Sequence, residues 1–72
     1  MYCEKYVQLG SKIRYFRTLK ALGQTTLAEQ IGITPQYLSK IEHGSVHPSL
    51  DLIFKIADEL QVQVSRLLES EI

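Results

Sequence analysis

The side chains best suited to do chemistry in this sequence are Gln36 and Lys40. They stand four residues apart, so on a helix they share one face, one turn from each other. A glutamine amide both donates and accepts hydrogen bonds, whereas a lysine ammonium only donates. That pair suits recognition of a fixed pattern of donors and acceptors better than it suits bond breaking. The chain has no nucleophile set beside a base, and neither a GxGxxG nor a P-loop for a cofactor. Cys3, His43 and His47 are the only Cys and His residues, and their spacing offers no metal site. An enzyme is therefore the weakest reading, and no cofactor, metal or small-molecule ligand is expected. Cys3 reads as incidental, and a lone cysteine fits a reducing cytoplasm.

The elements that must hold Gln36 and Lys40 are helices. Seventy-two residues make one domain, taken here as 1–72 with a core over about 9–69. Leu9, Ile13, Phe16 and Leu19 or Lys20 follow a helical stripe, so a first helix is expected from near Tyr6, through Gly10, to about Lys20. A second begins after Gly23, with Leu22 and Leu27 placed as a hydrophobic staple, and ends at Gly32. A third opens with Thr34 as cap and Pro35 at its first position, is stapled by Ile33 and Leu38, and closes at Gly44. A fourth starts at Ser49 with Leu50, Ile53, Ala57 and Leu60 as its buried stripe. Gln61 stands where a terminating glycine would be easier, and a short fifth helix covers about Val64 to Glu69. No segment alternates like a strand, so the fold class is all-α with five helices. No apolar run is long enough to span a bilayer, and the opening MYCEKYVQ lacks the apolar stretch of a secretory signal.

The block QTTLAEQIGITPQYLSKIEHG, Gln24 to Gly44, carries the functional reading. Two short helices flank the turn Gly32-Ile33-Thr34. Gly32 suits the positive φ of such a turn, and Ala28 is small where the helices cross. Leu27, Ile31, Ile33, Leu38 and Ile41 all point to one core. These are the elements of a helix-turn-helix, a motif that in DNA-binding proteins places its second helix in the major groove. Net charge is zero, which argues against a polyanion partner, but the distribution does not. Six basic residues face two acidic ones (Glu4, Glu29) in residues 1–40, a net +4, and two basic face six acidic in 41–72, a net −4. A polyanion can meet the first half while the second faces elsewhere.

The chain resembles the phage repressor and Cro type of helix-turn-helix domain, the Xre family. The matching stretches are IRYFR, LGQTTLAEQIGITPQYLSKIEHG, PSLDLIFKIADELQV and VSRLL, about residues 9 to 69. The resemblance implies a five-helix lambda-repressor-like domain and a bacterial or phage-like transcription regulator. It implies that Gln24 contacts a phosphate and that His43, Ser45 and His47 lie on a loop that approaches phosphates. Three positions depart from the pattern. Gly23 replaces a Ser or Thr cap, Ser45-Val46-His47 stands where many relatives have Lys or Arg, and Gln61 replaces a glycine. Less charge on that loop implies binding that depends steeply on sequence.

On this reading Pro35 and Gln36 lie nearest the base edges, with Lys40 following. Gln36 matches the N6 and N7 pattern of adenine, Lys40 the O6 and N7 acceptors of guanine, and Pro35 a thymine methyl. The helix-end amides at Thr34, with Gln24, set register on the backbone. Tyr37 either packs on the domain or touches sugar and phosphate, and Ser39 either reaches a base edge or only solvates its helix. Arg17 and Glu42 match family positions that form an ion pair, and a glutamate at a helix C-terminus is unfavourable without a partner. Such domains gain affinity as dimers on two half-sites about one helical turn apart, ~34 Å. A homodimer on a palindromic operator is therefore expected, with Val62, Val64, Leu67 and Leu68 at its interface. The alternative is an antitoxin-like protein-interaction module on the same fold, using Phe54, Leu68 and Ile72.

Overall fold

The boundaries of the three central helices follow from local start and stop signals. The computed structural model describes residues 2–68. Five helices run in order: α1 Tyr2–Leu19, α2 Gln24–Ile31, α3 Pro35–His43, α4 Leu50–Leu60 and α5 Val64–Leu68. No strand occurs among the described residues. The side chain of Cys3, the proposed end of the fifth helix at Glu69, and Ile72 lie outside the described part.

Thr34 Oγ1 accepts from the Tyr37 amide at 3.0 Å, and Ser49 Oγ from that of Leu52 at 3.2 Å. These caps satisfy amides that would otherwise lack partners at the starts of α3 and α4. Gly32 and Gly44 close α2 and α3 at φ 81° and 79°. Gln61 adopts the same left-handed form at φ 60° to end α4, and Ala21 does so at φ 58° just after α1. Neither is a glycine, so both turns carry steric strain from their Cβ atoms.

α1 starts four residues before the position expected from its periodicity. The reason lies in what its first turns touch. Tyr6 packs on the core, and its ring stacks on that of His47 with centroids 3.9 Å apart and planes 11° from parallel. The Val7 backbone crosses so near Gly44 that a Cβ there would fall 2.7 Å from the Val7 Cα. Farther along, a Cβ on buried Gly10 would sit 2.5 Å from the Glu42 carbonyl oxygen. α1 therefore lies backbone to backbone against the end of α3.

One cluster forms the core. It contains Leu9 and Ile13 of α1, Leu27, Ala28 and Ile31 of α2, Leu38 and Ile41 of α3, Ile53, Ile56, Ala57 and Leu60 of α4, and Leu67 of α5. Two expected stripes shift. Leu19 is exposed, so the buried face of α1 stops at half-buried Phe16. Leu50 is 56% exposed, because it opens α4 one turn before the core begins, and Ile56 joins the buried face instead. Leu67 is only 1% exposed. It fills the core of the single chain and is unavailable to a partner, which corrects its expected place at a dimer interface.

Candidate nucleic-acid interface

The helix that carries Gln36 and Lys40 is held from three sides. Behind it, Leu38 and Ile41 are buried. At its start the turn is tied by the Ile33 amide donating to the Ala28 carbonyl at 3.0 Å. At its end the Gly44 and Ser45 amides donate to the Ile41 and Lys40 carbonyls, each at 3.0 Å. With the inner face fixed, Gln36, Lys40 and His43 stand exposed on the outer face. Thr34 is exposed beside them, and Pro35 and Ser39 are half-buried. Tyr37 packs partly against the core, the first of its two open readings.

The last residue of α3 and the loop after it are engaged with the protein's own atoms. His43 Nδ1 lies 3.1 Å from the Ser39 carbonyl oxygen. Ser45 Oγ donates to the Lys40 carbonyl at 3.2 Å, and His47 rests on Tyr6. The loop carrying Ser45 and His47 is thus braced by the first turns of α1.

A second cluster joins the start of α2 to the end of α3. Arg17 Nε donates to Glu42 Oε2 at 2.7 Å, and Nη2 to Oε1 at 3.2 Å, a two-pronged pair. Arg17 Nη1 donates to the Leu22 carbonyl at 2.8 Å, just ahead of the α2 cap. Gln24 Nε2 donates to Glu42 Oε1 at 2.9 Å. The pair is shielded, with the side chains 13% and 3% exposed, and Nε, Nη1 and Nη2 of Arg17 each meet an oxygen. The link to Gln24 had no signal in the sequence, since it joins residues 18 apart. Gly10 did leave one, because a glycine inside a helical stripe marks close packing.

The helix-turn-helix family profile matches residues 13–67, which spans all of α2 through α4 and the turn between α2 and α3. The chain belongs to the helix-turn-helix family. Its class of activity is DNA-binding regulation of transcription. The chain is 41% identical over 56 residues to a helix-turn-helix-type transcriptional regulator of Methanocaldococcus jannaschii, covering 78% of this chain and 85% of that protein. It is 33% identical to the regulator SinR of Bacillus subtilis, over 88% of this chain but 58% of SinR. Among solved structures it is similar to the restriction-modification controller protein C.AhdI from Aeromonas hydrophila. The TM-score is 0.82 and the identity 35%, covering 86% of this chain and 94% of that one. Among the described residues no group of His, Cys, Asp and Glu could hold a metal, and no helix is long and apolar enough to cross a membrane.

Proposed function

We propose that this helix-turn-helix domain reads duplex DNA sequence-specifically, with α3 in the major groove, and acts in the cytoplasm as a twofold dimer on a palindromic operator. One observation carries the reading. α3 is capped at Thr34 and anchored by buried Leu38 and Ile41, and it leaves Gln36 and Lys40 exposed together on its outer face. Gln36 then pairs with an adenine edge and Lys40 with a guanine, while Pro35 meets a thymine methyl. Gln24, the Thr34 end of α3, His43, Ser45 and His47 serve the sugar-phosphate backbone and set register, and Ser39 stands beside the base edges. The bracing of the loop by Tyr6 supports this role, because a fixed loop presents its groups at a fixed distance from α3. Nothing in the reading requires catalysis, and the chain is taken to be a binding module, not an enzyme.

The dimer surface we propose lies on α4 and α5. Leu68 is 52% exposed and Phe54 is also exposed, while Val62 and Val64 pack only partly against the core. Burying such side chains against a second copy removes apolar area from water. Two recognition helices so joined reach half-sites about one turn of DNA apart. Selection of bound sequences from random duplex DNA tests both halves. An enriched inverted repeat with half-sites roughly 10 bp apart is expected. A lone half-site rejects the dimer, and no enrichment at all rejects sequence-specific binding.

A further inference from the structure

We propose that Glu42 is a positioning residue for DNA. By accepting one of the two Gln24 amide hydrogens, it sets which edge of that amide faces the phosphate. The inference rests on the reading of Gln24 as a phosphate contact. Glu42 itself cannot be that contact, being buried and acceptor-only when ionised, like the phosphate it would meet.

The geometry around the carboxylate is specific. Oε2 takes Arg17 Nε, and Oε1 takes both Arg17 Nη2 and Gln24 Nε2. If the Gln24 amide were reversed, its oxygen would face Oε1 at hydrogen-bond distance, acceptor against acceptor. The carboxylate therefore selects one of the two amide orientations. Arg17 holds the carboxylate still from the other side and is itself fixed by the Leu22 carbonyl. In the selected orientation Gln24 keeps one Nε2 hydrogen and its Oε1 for other partners. That hydrogen is the donor for a phosphate oxygen.

The arrangement also suits the bare start of α2. Gly23 caps the helix without any side-chain hydrogen bond. The cluster from Arg17 to Glu42 to Gln24 therefore orders this helix start where a Ser or Thr side chain commonly would. Glutamine loses much rotamer freedom when it is immobilised. A Gln24 already held in the free protein loses less of it on binding, and so binds tighter.

A double-mutant cycle tests the proposal, using a duplex selected by the wild-type protein. Glu42→Leu alone would strand Arg17, so it is made together with Arg17→Met, which replaces the pair by apolar side chains of similar size. In the wild-type background Gln24→Ala is expected to weaken binding roughly fivefold to tenfold, one hydrogen bond's worth. In the apolar-pair background the same change should cost less than about twofold, because Gln24 is no longer held. An equal cost in both backgrounds overturns the positioning role while leaving Gln24 a phosphate contact. No cost in either background overturns the contact itself, and the positioning role with it. Should the apolar pair not fold, the side-chain amide of Gln24 in 15N-labelled wild-type protein decides. One of its two protons should exchange slowly with water both free and on DNA, and fast averaging of the two overturns the proposal.

Discussion

Arg17 and Glu42, 25 residues apart, meet through two hydrogen bonds of 2.7 and 3.2 Å at the junction of α1, α2 and α3. Both side chains are well shielded, so neither can be removed without stranding its partner away from water. Arg17→Met or Glu42→Gln should each cost about 3 kcal/mol. For a domain of this size that lowers the melting temperature by roughly 15 °C. Arg17→Met with Glu42→Leu should lose much less than the sum of the single changes, since no charge is then left unpaired. Urea unfolding of the three variants checks this, and wild-type stability in both single variants rejects a structural role for the pair.

Gly10 makes a second test of how α1 meets α3. Alanine has the better helix propensity, by about 1 kcal/mol. Here its Cβ would lie 2.5 Å from the Glu42 carbonyl oxygen, so α1 must shift away from α3. Gly10→Ala should therefore destabilise by about 2 kcal/mol, as overpacking does. A rise in unfolding midpoint would show that the helices can separate freely.

Ala21 predicts a gain. It holds φ at 58°, where its Cβ crowds the following carbonyl. Ala21→Gly removes that strain, at some cost in unfolded-chain entropy, and should stabilise by up to about 1 kcal/mol. Thermal unfolding checks it, and a loss of stability would mean that the turn is not strained.

The proposed dimer is open to a direct measurement. Sedimentation at high micromolar concentration should show twofold association, and Leu68→Glu should reduce it without lowering the monomer's stability, because Leu68 is exposed. A monomer both free and on DNA would remove the dimer from the account.

How much of this was legible in the sequence depends on the range of each signal. The starts and stops at Thr34, Pro35, Gly32 and Gly44 were legible because a cap acts within four residues of itself. The first two turns of α1 were not, because they are secured by Tyr6 on His47 and by Val7 against Gly44, far along the chain. Leu67 and Leu68 are the same residue type side by side, and only the packing of α5 decides that the first is core and the second surface. The outer face of α3 could be read from the four-residue spacing of Gln36 and Lys40. The hydrogen bond from Gln24 to Glu42 could not, since side-chain reach across two helices leaves no periodicity.

The central claim is that the outer face of α3 reads base sequence. Selecting bound sites from random duplex DNA with wild-type protein, Gln36→Ala and Lys40→Ala tests it most directly. Each variant should relax preference at its own base position, by ~1–3 kcal/mol, and leave the other position intact. If both variants select the same DNA sequence as the wild type, with the same discrimination at every position, α3 does not read the bases.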